Sequence, residues 1–289
     1  MRNFIGRNGF IWFVGVVEDR DDPVQLGRLR VRVFGHHTDD KSKIKTEDLP
    51  WAQVMNGVQS ASVNGLGFSP TGIVEGSWVI GFFMDGERAQ EPVIMGTLPG
   101  IPSQVADPTK GFNDPTGTYP KWVDDPDVNK LARGLQTKPH TPDSTIGEPD
   151  DPYAAEYPKN HVMETESGHT KEYDDTPSHE RIREMHKSGT FYEVHPDGSI
   201  VTHVVKDGYR VVAGDDAIHV KGNVNIVVDN DATVTVGDNA TVTVGNTLYA
   251  TAPNGDVYVD GVSLVNHTHP QNSGNHFGGG TDTSPPNKV

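Results

Sequence analysis

The 289-residue chain contains no cysteine. That removes disulfides, thiolate metal sites and cysteine nucleophiles together, so packing and hydrogen bonding alone must hold it. Positive charge is also scarce: 24 Lys and Arg stand against 40 Asp and Glu, a formal net charge of −16. Such a surface repels phosphodiesters and anionic headgroups, which argues against a general nucleic-acid or membrane-surface binder and leaves only local basic patches. Long apolar runs are missing too. The run at residues 10–17 is broken by Gly15 and followed by Glu18-Asp19-Arg20-Asp21-Asp22, which fits neither a signal peptide nor a spanning helix.

Glycine (32) and proline (21) are plentiful, while hydrophobic residues make up only 34%. That balance points to turns, short strands and linkers. Residues 1–98 read as a small all-β domain. Leu29, Val31 and Val33 alternate with Arg28, Arg30 and Arg32, the period of a strand with one dry face. Further short apolar runs at 10–17, 51–55, 77–84 and 92–96, split by Gly and Pro, predict a closed barrel of the OB type. Trp12, Trp51 and Trp78 are expected in its core. The arginine face is either solvated, paired with acidic neighbours or used for a protein contact.

Residues 99–160 read as an extended linker: stretch 99–158 holds eleven of the 21 prolines and many aspartates, from which no apolar core can be assembled. Within it, Val128, Leu131 and Ala132 predict a short helix over 127–134 ending at Gly134. From 161 to 265 strands alternate with turn signals, and then the punctuation becomes regular. Val212, Val220, Val228, Val236 and Val244 recur every eight residues, each followed two places on by Gly214, Gly222, Asn230, Asp238 or Asn246, residues that tolerate positive φ. One eight-residue strand-and-turn cannot enclose a core. Three copies closing their walls into a prism would bury the valine columns and protect most strand edges, and a single-chain solenoid is the competing arrangement.

The stretch from Phe10-Ile11-Trp12-Phe13 through Leu26-Gly27-Arg28-Leu29-Arg30-Val31-Arg32-Val33 closely resembles the N-terminal OB domain of the central spike, or cell-puncturing, proteins of contractile-tailed bacteriophages. Glu166-Ser167-Gly168-His169 and the segment 174–198 resemble the entry to that family's intertwined triple-stranded β-helix, and the octads resemble its shaft. The resemblance implies an all-β homotrimer in the virion's tail baseplate: OB barrel at 1–98, linker at 99–160, β-helical needle at 161–265, and tip and tail at 266–289. It implies seating of the OB domains on a baseplate hub or tail-tube protein, and a needle driven through the host outer membrane. Well-known members carry a lysozyme domain between barrel and needle. Here that interval is the linker, whose Asp124, Asp125 and Asp127 have no helical domain around them to tune a general acid. A non-enzymatic, lysozyme-less spike is therefore expected; a spike with peptidoglycan-hydrolase activity and a secretion-system-like tip that delivers effectors are the alternatives.

His267 and His269, one residue apart, can face one side of an extended segment. One chain supplies two imidazoles, too few for a firm site, whereas three chains around an axis supply six, a shell suited to iron or nickel more than to tetrahedral zinc. Two solvated histidines are the alternative for so short a motif. The resemblance to His-x-His spike tips implies one iron ion on the threefold axis. His36 and His37 in a barrel loop, and His161, His169, His179, His186, His195, His203 and His219 among the strands, are expected at the surface, and His276 on the tail.

Overall fold

A computed structural model describes residues 10–137, 139–264, 266 and 267. The chain divides into two compact units, Met1–Val227 and Val228–Val289.

The first unit opens with five strands, β1 (Trp12–Asp19), β2 (Leu29–Val33), β3 (Trp51–Val54), β4 (Trp78–Phe83) and β5 (Pro92–Thr97). They close into a barrel in the order β1-β2-β3-β5-β4, with β3 and β5 parallel and every other pair antiparallel. This is the predicted OB barrel. Phe13, Val17, Leu29, Val31, Val33, Ala52, Val79, Phe83 and Ile94 fill it. The Phe13 and Phe83 rings lie 4.8 Å apart, and Gly81 makes room for them: a Cβ there would stand 2.6 Å from Phe13 Cζ and 2.2 Å from the Val93 carbonyl oxygen.

The expectation for the tryptophans fails. Trp12 is 61% exposed and Trp78 49% exposed, because alternation along β1 and β4 turns Phe13 and Val79 inward and their neighbours outward. Trp78 packs externally on Phe34 at 5.0 Å, and Trp51 lies under the Arg30 guanidinium at 4.5 Å.

No strand falls between Thr97 and Asn160 among the described residues. The predicted linker helix is a single 3-10 turn, Leu131–Arg133, closed by Gly134 at φ 76°. It is shorter than expected because the Asn129 side chain accepts the Leu131 N–H at 2.8 Å and starts the turn late.

Five antiparallel strands follow: β6 (Asn160–Glu164), β7 (Thr170–Asp174), β8 (Arg181–Met185), β9 (Phe191–Val194) and β10 (Ile200–His203), ordered β10-β9-β8-β7-β6. One face of this meander is buried and largely charged: Glu172, Asp174, Arg181, Arg183 and Glu193, with Met185 and Phe191. The linker covers it, so residues that hold no core of their own act as a lid. The other face leaves Met163, Tyr173, Ile182, Tyr192 and Ile200 exposed.

Beyond β10 the octads appear as bends. Bent pairs occur at 205–206, 213–214, 221–222, 229–230, 237–238 and 245–246, eight residues apart, with no strand from 204 to 257. Positive φ was expected at Gly214, Gly222, Asn230, Asp238 and Asn246, and none of them has it; the chain bends there in ordinary backbone space, and a Cβ on Gly214 or Gly222 would meet nothing within 4 Å. Every residue from 204 to 255 is exposed. Val212, Val220, Val228, Val236 and Val244 are 44–50% exposed, and the second octad column, Ile218, Ile226, Val234 and Val242, is 75–89% exposed. Late in the second unit, β11 (Tyr258–Val259) and β12 (Val262–Ser263) form a hairpin whose turn residues Asp260 and Gly261 have φ 49° and 79°, the two positive values that an Asp-Gly hairpin turn requires.

Candidate metal centre

The hairpin leads into His267, the first histidine of the His267/His269 pair. Asp256 holds the Ser263 hydroxyl, and the Asn266 N–H donates to that hydroxyl at 2.7 Å. The chain then folds back so that the His267 N–H and its ring Nδ1 reach the Ser263 carbonyl at 3.2 and 2.8 Å. A carbonyl only accepts, so Nδ1 carries the proton and the lone pair lies on Nε2. Metal-ligating imidazoles are oriented in this way, by donating the other ring N–H to a backbone carbonyl. His267 therefore fits a ligand role. His269 lies outside the described residues, and with it the convergence of the pair.

Of the other histidines, the surface expectation is wrong for several. His195 is buried, its Nε2 3.1 Å from Glu193. His37 accepts the Val33 N–H at 2.9 Å, and burial pushes its pKa below the ordinary value. His203 lies on the buried face of the meander with His140, which sequence reasoning passed over. His140 Nε2 is 2.8 Å from Glu148 Oε1, His203 Nδ1 is 3.8 Å from the same oxygen, and the two rings are 4.5 Å apart. Such a grouping is hard to see in sequence, since the linker brings positions 140 and 148 against a strand more than fifty residues on. The period-2 placement of Phe191, Glu193 and His195 was its only local signal.

The arginines of the barrel are not a solvated face. Asp22 grips Arg28 through two bonds at 2.7 and 3.0 Å, and Arg30 approaches Asp19 at 3.4 Å. Arg32 and Glu18 are both wholly buried, joined at 2.6 and 3.0 Å. The guanidinium also donates to the Thr38 and Ile44 carbonyls at 2.7 and 2.9 Å, and the Thr46 hydroxyl donates to Glu18 at 2.8 Å. On the meander, Arg181 binds Glu172 and, at 3.0 Å, Glu193, and lies over the Tyr153 ring of the linker at 4.8 Å. Asp151 reaches Arg183 at 3.6 Å. Burial works against its ionised form, but the Tyr153 N–H, the Gln136 amide and Arg183 outweigh it and lower its pKa.

Barrel, linker and meander meet at Glu166. Its carboxylate accepts two bonds from Arg20 at 2.7 and 3.1 Å and one from the Tyr119 hydroxyl at 2.5 Å. Arg20 first, and Tyr119 second, lower its pKa to about 2, while burial and then Glu166 raise the Tyr119 phenol to about 12. The linker carboxylates are similarly engaged: Asp125 pairs with Arg133 at 2.8 Å, which lowers its pKa, and Asp127 accepts the Gly100 N–H at 2.7 Å. Among the described residues no helix is long and apolar enough to cross a membrane.

An OB barrel, followed along the chain by a lidded meander and then a run of octads, defines an all-β protein whose described chemistry is ionic locking. The Gp5 N-terminal OB domain family matches residues 35–185. Among curated proteins, Protein Gp5 of Vibrio phage KVP40 is 41% identical over 273 residues, covering 78% of this chain and 65% of the relative. The pre-baseplate central spike protein Gp5 of Enterobacteria phage T4 is 44% identical over 132 residues, covering 44% of this chain and 23% of the relative. The chain belongs to this Gp5 family of phage baseplate central spike proteins, and the alignments span just under two thirds of the first relative and about a quarter of the second.

Proposed function

We propose that the chain is a structural spike of a phage tail baseplate, in which three copies wind their octads around one axis into a needle that pierces the host outer membrane as the tail contracts. The observation that carries this reading is the octad array, in which two columns of aliphatic side chains are uncovered within the single chain. Covering nine such residues at ~1.5 kcal/mol or more each is worth on the order of 10 kcal/mol per chain. The exposed apolar face of the meander, Met163, Tyr173, Ile182, Tyr192 and Ile200, extends the same demand for sibling chains. A large outer-membrane load calls for stiffness and not lipid affinity, which is compatible with a net charge of −16.

The OB barrel docks on the baseplate hub or tail-tube protein, using the β3–β4 loop where Val58 and Phe68 stand exposed. The spike acts without catalysis: Asp125 is paired with Arg133, which favours its ionised form and does not prepare a general acid, and Asp127 is held by the Gly100 N–H. At the tip, His267 and His269 of three copies hold one iron ion on the axis, which draws three C-terminal segments together. Antibodies against the octads should label intact tails at the baseplate and contracted tails at the distal end of the tube; their absence from purified tails would overturn the reading. The purified chain should leave peptidoglycan intact in a zymogram, and clearing would show an enzymatic spike. Iron should fall from one ion per three chains to none in His267→Ala/His269→Ala.

A further inference from the structure

His140, Glu148 and His203 each offer a ligand atom, and these atoms lie within 4.8 Å of one another. Three separate features aim them at one point. The carboxylate is fixed because the Asp143 N–H donates to Glu148 Oε2 at 2.7 Å, which leaves Oε1 turned toward both imidazoles. The rings are fixed by one wall: Phe191 meets His140 edge-on at 4.8 Å and stacks on His203 at 5.4 Å, 13° from parallel. The loop carrying Glu148 is itself closed by the Glu148 N–H donating to the Asp143 carbonyl at 3.0 Å.

We propose that His140, Glu148 and His203 form a binding site for a divalent first-row transition ion of the zinc type, one per chain, separate from the tip. Two imidazole nitrogens and one carboxylate oxygen are a donor set such ions favour, with water at an open fourth position. The side chains of His140 and Glu148 are 10% and 7% exposed, and that of His203, on the open side, is 31% exposed, so a water can enter beside the last ligand. Tetrahedral bonds of about 2.0–2.2 Å hold neighbouring donor atoms roughly 3.4 Å apart. The observed separations of 2.8 and 3.8 Å from Glu148 Oε1 straddle that value, so binding needs each ring to shift by about half an ångström. Both imidazoles bind as neutral ligands, the proton on His140 Nε2 moving by way of solvent to Nδ1, so a divalent ion with the Glu148 carboxylate and a neutral water leaves the site one net positive charge.

Such an ion ties the linker at positions 140 and 148 to the last residue of β10, where the octads begin. The inference does not rest on the piercing role or on the tip iron, and stoichiometry separates it from both: an axial tip ion counts one per three chains. The test uses the untagged full chain, stripped with chelator and titrated with zinc, then with cobalt as an optical probe. Wild type and His267→Ala/His269→Ala should both take up one zinc per chain and raise the thermal midpoint. His203→Ala and Glu148→Gln should bind at least about tenfold more weakly and lose the tetrahedral cobalt bands, while their unmetallated folds remain comparable by circular dichroism. Zinc uptake equal to wild type in both variants, or no uptake by the wild type beyond what the tip substitutions remove, would overturn the site.

Discussion

Glu18→Ala is the perturbation whose cost the barrel determines most closely. Glu18 and Arg32 are sealed from solvent and bonded to each other twice, and the guanidinium makes two further bonds to carbonyls. Removing the carboxylate strands a buried guanidinium, which costs about 3–5 kcal/mol. Replacing both partners by apolar residues, Glu18→Leu with Arg32→Met, removes the stranded charge and leaves the Thr38 and Ile44 carbonyls without donors and, as in the single variant, the Thr46 hydroxyl without its acceptor, at about 1 kcal/mol each. The double variant should therefore be more stable than the single one. Gly111→Ala attacks the same feature from the linker, since its Cβ would fall 1.8 Å from Arg32 Cδ. Urea unfolding followed by tryptophan fluorescence reports on the barrel, because Trp12, Trp51 and Trp78 belong to its strands. A Glu18→Ala cost below about 1 kcal/mol, or a double variant less stable than the single, would refute the argument that a dry ion pair braces β1 against β2.

Gly81→Ala should abolish the folded barrel or cost more than about 3 kcal/mol, since backbone and the Phe13 ring both block a Cβ; soluble yield and circular dichroism check it. Glu166 has its pKa lowered from 4.5 to about 2, so its bonds to Arg20 and Tyr119 add stability that is complete above pH 4.5 and fades as pH falls through 2. The stability difference between wild type and Glu166→Gln should follow that course, remain small because the pair is part-exposed, and shrink in high salt; a difference that grows on acidification would contradict it. Val236→Asp puts a charge into the valine column and should shift the oligomer toward single chains in size-exclusion chromatography with light scattering, whereas Asp231→Asn, between columns, should leave it unchanged.

Much of the barrel was readable in residues 28–33, because a strand with one dry face repeats its apolar residues at every second place. The same rule misplaced detail wherever a second layer covered the polar face. Arg32 alternates outward with Arg28 and Arg30, yet the linker closes over it at Gly111. In β8 an alternation of Arg181, Ile182 and Arg183 invites Ile182 inward, and the opposite holds: both arginines are buried and Ile182 is exposed. Alternation tells which residues share a face, not which face is covered, and the cover here is a linker rich in proline and aspartate whose Asp151 and Tyr153 suit arginine. The His140–Glu148–His203 grouping was illegible for the same reason, as it forms only once that lid is in place. The octad period was plain in sequence and returns as bends at the same spacing. His267 and His269 stood out in the sequence as a motif; the structure adds the Ser263 carbonyl that orients the His267 ring, and His269 lies outside the described residues.

The central claim is that the octads are one third of a core. Sedimentation equilibrium of the full chain at micromolar concentration tests it most directly. A single species at three times the 31.4 kDa chain mass is the predicted result; a folded, stable particle of one chain mass would contradict it.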